Sequence, residues 1–308
     1  MSVSTGYRTL PTCLTSAERT RGVSRLRDYA ALTRPRVLSL VLFTAPPALA
    51  LGRDHWPAPT LCLGVLLGTA LIGAGCGALN AWLERDVDAL MLRTCDRPLP
   101  AGRLEPHQAL LFGLAISLTG LLSLYAVGGW LPTLIGALTL FHYVVVYTVW
   151  LKPRSAQNIV IGGAAGAAAP LIADAAVDGR LGILGVALFA IIFLWTPPHF
   201  WAIALYRKRE YAAAGLPMMP SVVGDAGTRR RMLSYALILV PASLVPWWLG
   251  ALSGFYAAIA LCLGTCFAVS IVRAIRARCE REDRRVFVVS LVYLAGLFTT
   301  MLAELLLR

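Results

Sequence analysis

The stretch Leu61–Pro100, LCLGVLLGTALIGAGCGALNAWLERDVDALMLRTCDRPLP, decides the fold and points to the chemistry. From Leu61 to Leu79 it holds no charged residue, a length that crosses the hydrocarbon core of a bilayer as a helix. Asn80, Glu84 and Asp88 then arrive at four-residue steps. Each such step turns a helix by about 40°, so the three share one face, and Asp86 falls roughly opposite, toward solvent. Arg93 and Arg97 follow at the same spacing, and Pro98 closes the segment. A carboxamide and two carboxylates at a membrane surface, backed by arginines, suit a magnesium ion that holds a diphosphate. Hard cations take oxygen ligands and share them with phosphate, while Arg grips phosphate oxygens through a fork of N–H donors. The bland reading is a helix end dressed with charge for the headgroup layer. The Arg93–Pro100 run, RTxxRPLP, argues against it, because a plain solvated turn needs no such mixture.

Outward from this stretch the whole chain is apolar. Of 308 residues, 58% are hydrophobic and 14% charged, far from the average of a soluble domain. Spans are read at 37–52, 61–84, 109–127, 131–150, 159–176, 183–205, 233–252, 255–272 and 286–307. The fold class expected is therefore all-α: a polytopic membrane protein with nine transmembrane helices around a central cavity. Strands of a membrane barrel would alternate over about ten residues, and no such alternation is present. The seven cysteines form no CxxC pair, so no zinc site is read.

The net charge of +12 is a topology signal. Lys and Arg number seven before the first span, then four, two, six and six after the second, fourth, sixth and eighth, which is 25 of the 28. Positive residues mark the cytoplasmic side, so the N-terminus is expected there and Arg308 on the other face. Anionic headgroups account for the remaining role of the charge, and no nucleic acid partner is implied. Residues 1–30 are polar, basic and without an apolar run, which reads as a flexible cytoplasmic tail, with a mitochondrial presequence as the alternative. Residues 31–308 form the transmembrane domain.

Other segments add candidates. Pro46-Pro47 is expected to kink the first span or to make it a re-entrant wall, and Pro197-Pro198 to kink or unwind the sixth. His199 follows that second pair; an ionisable side chain at membrane depth is a functional candidate, weighed evenly against a satisfied core histidine. Tyr143 and Tyr147 read as cation-stabilising faces or as an interfacial belt, and His142 as interfacial. Gly162, Gly163 and Gly166 serve helix packing or leave room for a bulky ligand. Asp174 and Asp178 read as solvated loop acids. Lys152, Arg207, Lys208 and Glu210 emerge on the same side as the Asn80 cluster.

The ordered motifs N-x3-E-x-D-x-D (Asn80–Asp88), RTxxRPLP, YTxxLK (Tyr147–Lys152), QNIVIGGAAGA (157–167), TPPHFWAIAL (196–205) and EYAAAGLPMMPSVVG (210–224) resemble the protohaem IX farnesyltransferases. These haem O synthases are a branch of the intramembrane UbiA-type prenyltransferase superfamily, and the resemblance covers about residues 27–308. It implies Mg2+ bound with diphosphate at Asn80, Glu84 and Asp88, and farnesyl diphosphate as donor. It also implies haem B as acceptor, and haem A synthase or terminal oxidase assembly factors as partners beside the lipid bilayer. Catalytic roles would fall to Asn80, Glu84, Asp88, Arg93, Arg97 and Lys152. Substrate contacts would fall to Arg207, Lys208, Glu210, His199, Tyr143 and Tyr147. The sequence departs from the family pattern in two places: Arg209 stands where many relatives have a second acid, and Pro153 follows Lys152 where many have a basic pair. The bacterial inner membrane is the implied location, with the mitochondrial inner membrane as alternative. Three other readings stay open: a transporter, a non-catalytic haem-binding factor, and a prenyltransferase acting on 4-hydroxybenzoate or a quinone precursor.

Overall fold

Proline and glycine punctuation divides the chain into helices, as seen in a computed structural model that describes residues 25–91, 93–213 and 215–308. Most of the expected tail lies outside these residues, and its last part belongs to a helix, Arg25–Leu32 (α1). Pro35–Phe43 (α2) and Pro46–Ala50 (α3) follow, each opening on a proline, whose missing N–H costs nothing in a first turn. Then come Pro59–Ala89 (α4), Pro106–Gly128 (α5), Trp130–Phe141 (α6) and a π-helix, His142–Leu151. Asn158–Ala167 (α7), Ala169–Asp178 (α8), Ile183–Tyr206 (α9) and the short Lys208–Ala213 (α10) lead to Met219–Ser243 (α11) and Val245–Trp248 (α12). Gly254–Ala277 (α13) and Glu280–Leu306 (α14) end the chain. No strand occurs among the described residues.

Seven segments among the described residues are long and apolar enough to cross a membrane, against the nine spans read from sequence. They are α4, α5, α6 with the π-helix, α7 with α8, α9, α13 and α14. The expected first span is split at Thr44–Ala45 into two short helices, because Pro46 and Pro47 cannot donate to the ladder. The expected seventh becomes α11, which starts earlier, carries Arg229, Arg230 and Arg231, and is bent where Gly224 adopts φ 73° and ψ 167°. A side chain at Gly224 would strain that conformation.

At Pro197-Pro198, of the two outcomes expected, a kink or unwinding, the second does not occur: α9 runs as one helix from Ile183 to Tyr206. Helices α7, α8, α11 and α14 all pack on it, and Thr196 Oγ1 donates to Ile192 O at 2.7 Å. A helix enclosed by neighbours keeps its path even with two donors missing.

Small residues set the spacing elsewhere. Gly68 of α4 faces Gly120 of α5 so closely that a Cβ on either would lie about 3 Å from the other's carbonyl oxygen, the close approach that apolar helices in lipid depend on. Trp201, Phe267, Tyr293 and Phe298 fill the core around α9, α13 and α14. At the end of the bundle away from Asn80, Arg53 reaches Asp174 at 3.0 Å and Asp178 at 2.8 Å. Asp174 also accepts the Gly182 N–H at 2.6 Å and is buried. The reading of both acids as solvated is therefore corrected for Asp174, which Arg53 neutralises inside the protein; Asp178 is exposed.

Candidate active site

Asn80, Glu84 and Asp88 are all buried on one face of α4, as their spacing requires. Each meets a cation from another part of the chain. Arg34 Nη2 donates to Asn80 Oδ1 at 2.5 Å. Lys152 Nζ pairs with Glu84 Oε1. Arg97 Nη1 pairs with Asp88 Oδ2 at 2.6 Å. The turn that returns Arg97 to α4 is pinned by Thr94, whose hydroxyl donates to Asp88 O at 2.8 Å. A cavity of about 20 Å³, room for one water-sized particle, lies against Arg34, Asp88 and Arg97. Asp86 is 84% exposed and among the described residues pairs only with its neighbour Arg85, at 3.6 Å. Arg93 is exposed, yet its charge reaches Arg97.

The π-helix supplies the opposite wall. Its wide turn closes with the Lys152 N–H donating to Tyr147 O at 2.9 Å, five residues back, a geometry that recurs at functional sites. Thr148 Oγ1 donates to Tyr143 O at 2.8 Å and accepts from Asn80 Nδ2 at 3.0 Å. Tyr143 and Tyr147 stand with ring centroids 5.4 Å apart, and Lys152 Nζ lies 5.9 Å from the Tyr147 centroid. Gly162 of α7 lies against the Tyr147 ring, and Gly163 against Thr196, leaving no room for a Cβ; Gly166 faces open space. His142 turns away, with Nε2 2.8 Å from Ile161 O.

Electrostatics bind the cluster together. Burial alone would lower the Arg34 pKa, but Tyr143, Glu84, Asp88 and Tyr147 outweigh it and leave the value raised. Arg97 goes the other way: burial and then the Arg34 guanidinium push its pKa down, against the pull of Asp88. Arg34, Arg97 and Lys152 together exceed the two carboxylates by one positive charge, so the site favours an anion. In the sequence Arg34 counts only among the seven basic residues before the first span. Its one local signal is the Arg-Pro step; its φ of 52° and ψ of 57°, rare for a non-glycine residue, is a structural mark of a constrained site.

The donor set around Asn80 fits a hard cation, since all three side chains offer oxygen. Among the described residues no three His, Cys, Asp or Glu side chains gather to hold a metal alone. Phosphate oxygens would therefore complete any magnesium shell.

The second cluster is arranged differently. Arg207 Nη1 lies 3.2 Å from both oxygens of Glu210, and Lys208 pairs with Asp225 at 2.6 Å. His199 is buried between α9 and α14, stacked on Trp195 at 4.2 Å and against Phe287 at 4.9 Å. Its Nδ1 lies 2.7 Å from Ser290 Oγ, while Ser290 Oγ is 2.6 Å from Phe287 O. A carbonyl only accepts, so the single serine proton goes to Phe287 and His199 Nδ1 must donate. Among the described residues no hydrogen bond then engages the Nε2 lone pair.

Residues 41–298 match the UbiA prenyltransferase family. The chain is 44% identical over 281 residues to Protoheme IX farnesyltransferase 2 of Mesorhizobium japonicum, covering 90% of this chain and 89% of that one. It is 46% identical over 281 residues to the Protoheme IX farnesyltransferase of Rhodopseudomonas palustris, covering 90% of each. Among solved structures, a UbiA homolog from Archaeoglobus fulgidus bound to GPP and Mg2+ matches with a TM-score of 0.65 and 18% identity, over 89% of this chain and 99% of that one. That likeness is one of fold.

Proposed function

The chain belongs to the UbiA prenyltransferase family, and from that premise we propose that it transfers the farnesyl group of farnesyl diphosphate to the vinyl side chain of haem B, with addition of water, giving haem O and diphosphate. The observation that carries the donor half is the buried face of Asn80, Glu84 and Asp88, ringed by Arg34, Arg97 and Lys152. The acceptor half rests on the identity to enzymes named for protohaem IX.

Without donor the acids and cations satisfy one another. When the diphosphate enters, Arg34, Arg97 and Lys152 exchange carboxylate and carboxamide partners for phosphate oxygens, as planar and point cations both do. Magnesium held by Asn80, Glu84 and Asp88 supplies, when bound, Lewis-acid neutralisation of the leaving diphosphate. The allylic C–O bond breaks with its electron pair going to the diphosphate, and the three cations stabilise the charge that collects there. Tyr143 and Tyr147 present their ring faces to the allylic cation. The haem vinyl carbon attacks it, forming the new C–C bond; water then adds to the carbon beside the macrocycle and releases a proton. Arg93, Lys208 and Glu210 lie farther out in this reading, as contacts at the mouth. In this reading both polar clusters face the cytoplasm across a bacterial inner membrane, which the cation asymmetry supports.

The test is expression, haem extraction and mass analysis. Haem B carrying a farnesyl group plus one water is the expected product. A prenylated phenol or quinone precursor in its place would move the chain to the quinone branch of the family.

A further inference from the structure

A cleft of about 380 Å³ opens where the end of α9 meets the start of α14, lined by Tyr206, Arg207, Glu210, Arg284, Phe287 and Val288. We propose that this cleft is the acceptor's docking site, in which Arg284 receives a carboxylate of a planar, acidic macrocycle. The proposal rests on the haem reading above and specifies where that acceptor is held.

The cleft combines two surfaces that such a ligand needs. At its mouth two guanidinium groups share one aromatic ring: Arg284 Cζ lies 5.3 Å and Arg207 Cζ 5.8 Å from the Tyr206 centroid. The Arg207 charge is met by Glu210. The Arg284 charge is met by no carboxylate among the described residues, because the acids beside it are engaged: Glu282 with Arg285 at 2.8 Å, and Asp283 with Arg229 at 2.6 Å. A guanidinium oriented on an aromatic face and lacking an anion is prepared for a bidentate carboxylate. Phe287 and Val288 supply the apolar part of the lining. Phe287 meets Tyr206 edge-on at 6.3 Å and is backed by the buried ring of His199 at 4.9 Å. An acidic edge at the mouth with a flat apolar body below matches a dicarboxylate porphyrin. The volume is within the range of small-molecule sites. Snorkelling arginines on a bare membrane helix would not require two guanidinium groups on one tyrosine ring beside an apolar Phe287 and Val288 floor.

The same guanidinium chemistry also suits a lipid phosphate, so the test separates the two. Haem B and its dimethyl ester, in which both carboxylates are masked, are titrated into purified protein in nanodiscs, with wild type, Arg284→Gln, Arg284→Lys and Arg285→Gln compared. Arg285 is exposed and already paired, which makes it the control for charge removal nearby. Wild type is expected to bind the free acid about tenfold more tightly than the ester, the contribution of one charge-assisted hydrogen-bonded pair. Arg284→Gln should lose that preference through weaker binding of the acid, with ester binding unchanged. Arg284→Lys should keep part of it, and Arg285→Gln all of it. Farnesyl diphosphate affinity should stay constant throughout. An acid preference retained in full by Arg284→Gln overturns the proposal and leaves the haem reading intact. A variant that changes only the response to added phosphatidylglycerol assigns the cleft to lipid and likewise overturns it. Wild type that binds neither haem nor ester overturns both readings together.

Discussion

Glu84→Gln probes the centre of the donor site. Glu84 has one oxygen on Lys152 and shares a buried helix face with Asn80 and Asp88. The amide keeps the shape and one carbonyl oxygen but removes the negative charge. In the resting protein the loss is moderate: Glu84 is buried and Lys152 only partly exposed, so it falls between the about 0–1 kcal/mol of an exposed pair and the about 3–5 kcal/mol of breaking a buried one. In the transition state the charge is needed to hold the cation that neutralises the leaving diphosphate, and losing one preorganised electrostatic contact of this kind costs about 3–4 kcal/mol. That corresponds to a fall in kcat of about 10²–10³-fold. Asp88→Asn should behave alike, since Asp88 is buried beside Arg97. Asp86→Asn, at a side chain 84% exposed, should change kcat by less than about twofold. The assay is single-turnover haem O formation in proteoliposomes with magnesium varied, alongside thermal unfolding of the same preparations. Equal losses for Asp86→Asn and Glu84→Gln, or a Glu84→Gln defect fully explained by unfolding, would refute the shared-face argument.

Three further outcomes are expected. Arg229 makes two bonds to Asp283, 2.8 and 2.6 Å long, with both side chains at or below 5% exposure. Arg229→Met alone should destabilise the protein by about 3–5 kcal/mol, and Arg229→Met with Asp283→Leu should recover most of that in thermal unfolding. Ser290→Ala removes the acceptor of the buried His199 Nδ1–H; the unpaired donor should cost about 1–3 kcal/mol in thermal unfolding, with Ser290→Thr restoring part of it. Reporters fused after Gly227 and after Gly179 should read cytoplasmic and external, respectively, and the reverse result would contradict the charge-based topology.

Sequence alone determined what depends on local repeats. Helix period and apolar length gave the all-helical membrane class, and the four-residue spacing placed Asn80, Glu84 and Asp88 on one face, with Asp86 off it, since a helix fixes the angle between near neighbours whatever surrounds it. Proline positions correctly broke the first span at Pro46-Pro47. At Pro197-Pro198 the helix does not unwind, because the neighbours of α9 hold it together. Charge alone did not separate Asp174, buried on Arg53, from exposed Asp178 four residues away. Only the tertiary structure decided which cation meets which acid. Arg34 reaches Asn80 across 46 positions and Lys152 reaches Glu84 across 68. The π-helix that brings Thr148 to Asn80 was equally hidden. So was the α9–α14 cleft, whose two arginines stand 77 positions apart in the numbering, Arg207 and Arg284, yet share one tyrosine. Side chains so far apart in sequence meet only through the packing of whole helices, and no local periodicity encodes that.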